Sequence, residues 1–393
     1  MPATATAARP TQQKGGQGAT AQQSAAMSLR PFVVGTQVVE THTYDNTVTL
    51  TTNTQTLPTY YTQSNGFITE LELLVEGTTS GNSAAVTFNA DAPWNVLQTI
   101  QFSDTSSKPI MGPFTGFDLK CFLKYGGFAF NDDPQNSPEY SAVTGTGATG
   151  GSFSLVFRLP IEFVRRESLG PLPNTNNQTV FSVDVTLNTV AQVYGTAPTA
   201  APAVRVRYHQ EAYLRPWGKD IQGNPTQSQP PAMGTVMYGK KTTNDATAGA
   251  QNFRMSPFEG MVRTMIFILR DSTGSRTGGD ADWPDPFKLH YDNIVPIDRI
   301  RRIWRYKIAR DFGYSAAVDT AGGRDSGVYP LWDWIQDWEL KPGQESRLSY
   351  LPVSAGTELR FDGVIGGSGT HNLVTLINYV NPANGNVRAL SAR

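Results

Sequence analysis

Cysteine is almost missing from this chain: Cys121 is the only one in 393 residues, so no intrachain disulfide can form and stability has to come from packing. Histidine is nearly as scarce. His42, His209, His290 and His371 are scattered, with no His-x-His pair, whereas an open metal site needs about three protein ligands converging on one point. No Gly-x-Ser-x-Gly elbow presents a serine nucleophile. The longest apolar runs, such as Met265–Leu269, are far shorter than the ~18 residues that span a bilayer. The N-terminus has no apolar signal-peptide core, and a soluble protein made in the cytoplasm is expected. Charged residues make up only 17% and the formal net charge is −1, so the basic surplus of a dedicated nucleic-acid binder is missing. The expectation is no enzyme, no catalytic, cofactor or metal residues, and no sequence-specific nucleic-acid partner.

What is present is Thr, Asn, Gly, Pro, Val and aromatics, with 39% hydrophobic residues, enough to fill a core in each of two or three domains. This composition suits many strands joined by polar loops. One long segment reads as helix. After Pro296, residues Ile297, Ile300, Ile303, Trp304, Ile308 and Phe312 fall on one stripe, with Arg299, Arg302 and Arg305 outside it. Asp298 suits the helix start and Gly313 the left-handed stop. A fainter copy lies roughly 190 residues earlier, far above the period of solenoid repeats and near the size of a domain. There Val96–Phe102 reads as strand, Thr115-Gly-Phe-Asp118 as a capping-box-like start, Phe117–Tyr125 as a short helix and Gly126-Gly127 as its stop.

Residues 1–36 have few large apolar groups and are expected to form a flexible arm, either a passive tail or one that orders against a neighbour. Phe67–Val75, Phe153–Leu159, Phe181–Leu187 and Val204–Tyr208 alternate as half-buried antiparallel strands. The Gly- and Pro-rich stretch at 217–234 reads as a connector. Beyond it Met261–Leu269 takes the place of Phe67–Val75. Trp332, Trp334, Leu348, Tyr350, Leu359 and Phe361 mark further strands, and Leu373–Tyr379 the last. About eight strands and one helix per half is the inventory of a β-sandwich or jelly roll. The expected division is arm 1–36, first unit 37–216, connector 217–234, second unit 235–384 and tail 385–393.

Several candidates for chemistry carry a plainer alternative. Gly145–Gly150 fits the dinucleotide glycine spacing, but a strand follows it instead of a helix, and a surface loop is the expectation. Asp280, Asp282 and Asp285 are an acidic loop without calcium-loop spacing. Cys121 reads as a buried small hydrophobe. The face bearing Arg299, Arg302 and Arg305 is either a phosphate contact or a solvated or acid-paired face, with the second expected. Trp332, Trp334 and Trp338 on one side of a strand either stack sugars or pack a core or subunit interface, again with the second expected.

Taken in order, these residues resemble one family. Val38–Asp45 is similar to the first-strand opening, and Ile308–Phe312 to the basic helix of the second unit, of the double jelly-roll major capsid proteins of tailless icosahedral viruses with an internal membrane, the tectivirus type. Tyr329, Trp332 and Trp334 follow at a similar distance. The resemblance implies an all-β fold with few helices: two tandem antiparallel eight-stranded jelly rolls, one helix in each. It also implies a non-enzymatic shell subunit, a homotrimer forming pseudo-hexagonal capsomers of an icosahedral virion. Its implied partners are itself, neighbouring capsomers and penton or minor capsid proteins, with internal-membrane contact through the arm. A carbohydrate- or receptor-binding spike-like protein and a β-sandwich glycosidase are the alternatives; the latter needs two carboxylates ~5 to 10 Å apart.

Overall fold

The computed structural model describes residues 29–381 apart from 81, 130–132, 166–167, 179, 256–257, 278–281, 313–324, 336–337, 339–344 and 346–348. The first half runs through β1 (Val38–Thr49), β2 (Gln55–Thr56), β3 (Tyr60–Tyr61), β4 (Gly66–Thr78), β5 (Asn82–Phe88), β6 (Leu97–Ser103) and β7 (Pro109–Phe114) to helix α1 (Gly116–Tyr125). It continues with β8 (Ser141–Ala142), β9 (Gly145–Gly147), β10 (Phe153–Pro160), β11 (Leu172–Asn174), β12 (Ser182–Leu187), a short α2 (Val190–Val193), β13 (Tyr194–Thr196) and β14 (Ala203–Tyr213). One sheet has the order β1-β14-β4-β10; the other sets β2 and β3 beside β12, then β6 and β7. Leu71, Leu73 and Val75 of β4 and Leu155 and Phe157 of β10 point into the core between the sheets. This is a jelly roll.

The second half repeats the order with fewer breaks. Its elements are β15 (Val236–Arg254), β16 (Gly260–Asp271), β17 (Phe287–Tyr291), β18 (Ile294–Arg299), α3 (Arg301–Phe312), β19 (Val328–Leu331), β20 (Leu351–Val353) and β21 (Leu359–Asn381). The long strands β15 and β21 pair along their length and shift register between Thr247 and Gly249. Each therefore serves both sheets. Residues 236–247 and 371–381 with β16 and β19 reproduce β1-β14-β4-β10, and residues 249–254 and 359–365 with β17 and β18 reproduce the other sheet. Leu359 and Phe361 thus belong to the same strand as Leu373–Tyr379, not to a separate one. The fold is all-β with few helices, two tandem jelly rolls.

Three sequence expectations about the second helix change. The segment Ile297–Arg299 is strand, because its backbone pairs with Phe287–Leu289, and the helix starts at Arg301. Asp298 is consequently not at its N-terminus; Asp285 Oδ1 accepts the Arg301 N–H at 3.0 Å instead. Of the apolar stripe, Trp304, Ile308 and Phe312 are buried, while Ile300 and Ile303 are 51% and 46% exposed. Trp332 and Trp334 follow β19 and are not strand residues, and Tyr350 immediately precedes β20. Gly313, Leu348, Asp280, residues 1–28 and the tail at 385–393 lie outside the described residues.

The first helix forms as its sequence dictates. Thr115 Oγ1 accepts the Asp118 N–H and Asp118 Oδ2 the Thr115 N–H, both at 3.1 Å, so two orphan donors of the first turn are satisfied reciprocally. Gly126 caps the end and Gly127 takes φ +72°. Within the segment assigned to the arm, Phe32 is buried, its ring edge-on to Phe67 at 5.3 Å and to Tyr213 at 5.6 Å. No helix among the described residues is long and apolar enough to cross a membrane.

Candidate functional site

The residues singled out in the sequence do not converge. Gly145–Gly147 pairs with β5 at the surface and leads through a turn to β10, so no helix follows to aim amide groups at a phosphate. Cys121 is fully buried in α1, and burial pushes its thiol up to about 12, which keeps it protonated. His42 and His209 face each other across β1 and β14, His290 pairs with Asp362 at 3.0 Å, and His371 is buried in β21. Among the described residues no three His, Cys, Asp or Glu side chains are placed to hold a metal ion. The tryptophan strip does not form. Trp332 is buried with its indole N–H on Asp311, and Trp334 donates to the Arg263 carbonyl.

The basic helix face is also smaller than expected. Arg299 sits in β18, nearly buried, with its guanidinium 2.7 Å from Asp333. Lys307 reaches the same carboxylate at 2.8 Å. Burial would raise the Asp333 carboxyl, but these two cations outweigh it and hold it below the usual range. Arg302 remains exposed, and Arg305 is half-buried.

Where charge does concentrate is the contact between the two jelly rolls, built around α1. All ten of its residues are buried, because its inner side packs on the first core through Leu119 and Leu123 while its outer side is covered by the second jelly roll. Lys120 and Lys124 both reach Asp325, in the turn that leads into β19; Lys124 also lies 3.1 Å from Asp133. Burial alone would raise the Asp325 carboxyl, yet two adjacent ammonium groups prevail and hold it well below the ordinary range. Nearby, Asp118 pairs with Lys241 of β15 at 2.5 Å. Asp91 pairs with Arg270 at 2.7 Å and Arg276 at 2.5 Å. The Arg276 guanidinium lies 4.4 Å from the centre of the Phe117 ring, a cation–π contact. Gly239 lets β15 approach: a Cβ there would stand 2.9 Å from the Phe114 ring and 3.2 Å from that of Phe122.

None of these pairings was named from sequence, although a signal existed. From Leu71 onward β4 alternates in burial, as a sheet with one covered face does, whereas Met261–Leu269 of β16 is buried without a break. Within it the apolar run Met265–Leu269 is what a strand covered on both faces shows in sequence. One face of β16 looks into its own core and the other towards α1.

The contact holds the two jelly rolls against each other through buried ion pairs. No family model matches the chain, and no curated protein does either. Solved structures do match. The crystal structure of the STIV MCP is 14% identical with a TM-score of 0.57, covering 88% of this chain and 98% of that one. A chain from the atomic structure of Sulfolobus Turreted Icosahedral Virus is 13% identical with a TM-score of 0.58, covering 91% of this chain and 94% of that one. The major capsid protein P2 from bacteriophage PM2 is 8% identical with a TM-score of 0.50, covering 89% of this chain and all of that one. With both halves matched together along nearly their whole length, this chain has the double jelly-roll fold of viral major capsid proteins.

Proposed function

We propose that the chain is the major capsid protein of an icosahedral virion, self-associating as homotrimers whose six jelly rolls form pseudo-hexagonal capsomers. The observation that carries this reading is the interface around α1, which locks two like-built jelly rolls side by side, so that one chain already supplies two adjacent units of a possible ring. The role requires no catalysis, cofactor or metal. Its partners are further copies of itself, neighbouring capsomers and penton or minor capsid proteins, in a shell assembled from chains made in the host cytoplasm. Residues 37–216 and 235–384 are the two units, 217–234 joins them, and the arm assigned to 1–36, anchored on the first unit through Phe32, serves assembly and internal-membrane contact. Multi-angle light scattering on the purified chain, followed by electron microscopy, tests this. The expected result is three chains per particle and a six-lobed outline; a persistent monomer at micromolar concentration would overturn it.

A further inference from the structure

We infer that the surface formed by α3 and the edge strand β18 of one copy docks on the outward face of the β1-β14-β4-β10 sheet of the next copy, repeating between chains the contact that α1 makes within the chain. This rests on the self-assembly reading above and adds the surfaces and their register.

The two halves can be superimposed residue by residue from their hydrogen bonds. Helix α1 opens with Leu119 N–H on the Thr115 carbonyl and α3 with Trp304 N–H on the Ile300 carbonyl. Leu119 therefore corresponds to Trp304 and Leu123 to Ile308, and all four are buried in their own jelly rolls. On the outer side, Asp118 and Cys121 correspond to Ile303 and Tyr306. The α1 residues are covered by the second jelly roll; their α3 counterparts are 46% and 63% exposed.

The sheets align in the same way. Gly260–Val262 pairs with β20 as Gly66–Ile68 pairs with β11, and an irregularity follows in each. Ile266 thus corresponds to Glu72. Across the strands, Lys241, Leu376 and Ile266 stand in one row, and His42, His209 and Glu72 in the matching row. The first row is the face that meets α1, through Lys241 on Asp118. The second row is solvent-facing, with Glu40 and Glu72 flanking His209 at 3.6 and 3.3 Å.

The molecule thus contains one closed copy of the interface and, at its two ends, the unpaired halves of another. The helix end carries Ile300, Ile303 and Tyr306 with Arg302 and Arg305; the facing row of the sheet end carries Glu40 and Glu72 beside His209, while Arg205 and Arg207 of the same face are paired with Asp45 and Glu76. The edges agree as well: β7 meets β15 at Met111 and Gly239 inside the chain, and the corresponding strands, β18 and β1, are the free ends of their sheet paths. Ile294 and Val295 on β18 are exposed, and an apolar edge strand left open invites pairing with another chain. Different surfaces meet at such a contact, so it is head-to-tail and propagates until it closes into a ring.

The contact between Asp118 and Lys241 fixes the test, because its counterpart between chains joins Ile303 of one copy to His42 of the next. In the full chain, Ile303→Cys combined with His42→Cys should be linked between copies by a short bismaleimide, giving covalent dimers and trimers on a denaturing gel. Each single variant should give neither, since Cys121 is buried. Ile303→Asp, at an exposed position, should keep its unfolding transition yet raise the concentration at which trimers dissociate about tenfold, and adding His42→Lys should restore it by recreating the pair in trans. A trimer by light scattering that yields no inter-chain product and is indifferent to Ile303→Asp overturns this assignment of surfaces while leaving trimeric assembly standing. A monomer overturns both.

Discussion

At the scale of single residues, the informative groups are charged side chains buried where sequence reading expects apolar ones. Glu162 is nearly fully buried beside Tyr213, whose hydroxyl lies 3.5 Å from both carboxyl oxygens. Burial raises its carboxyl to about 8, against the pull of Arg165. In the unfolded chain the same carboxyl titrates near the ordinary glutamate value of 4.5. Between those two values the unfolded state releases a proton that the folded state keeps, so this group costs stability progressively as pH rises through that window and nothing below it. Glu162→Gln should leave the urea midpoint near pH 5 little changed and raise stability at pH 8 by on the order of 2–4 kcal/mol. Equal effects at the two pH values would contradict the assignment. Nothing in the local sequence announces this residue, because what raises it is desolvation by parts of the chain distant in sequence.

At the scale of elements, legibility followed locality. The α1 start was readable because a capping box needs only residues three apart. Thr115→Ala should cost about 0.5–2 kcal/mol by thermal or urea unfolding. The α3 start is not legible locally, because its deciding contacts come from elsewhere: β17 claims Ile297–Arg299, and Asp285 reaches the helix N-terminus from 16 residues away. What was right about the stripe is the part that faces the core. Ile308→Ala should leave a cavity and cost ~2–5 kcal/mol, whereas Arg302→Ala, exposed on the other side, should stay within about 0.5 kcal/mol in the isolated chain. The half-buried strands of the first jelly roll were legible from alternation alone. The bends of β15 and β21 were not, since Gly249 with φ +117° marks a break in register that composition does not distinguish from a loop.

At the scale of the whole molecule, the sequence disclosed two like halves but not how they are joined. The repeat of strand, loop, helix and glycine stop shows that the halves share a topology; the join depends on Asp91, Asp118, Asp325 and their cations, which meet only after both halves fold. A buried ion cluster adds little net stability when complete, yet removing one partner leaves uncompensated charge, at a cost of about 3–5 kcal/mol. Lys120 and Lys124 are fully buried and share Asp325, so neither jelly roll can separate without exposing α1 and dividing this cluster. Calorimetry should therefore show one unfolding transition whose calorimetric and van't Hoff enthalpies agree, despite two domains in the chain. Asp325→Ala places two ammonium groups in that interface with one carboxylate fewer, and the second jelly roll should then melt separately at a lower temperature. Two transitions in the unaltered chain would mean that the interface does not couple the halves, and that the fixed pair from which a ring is to be built is not fixed.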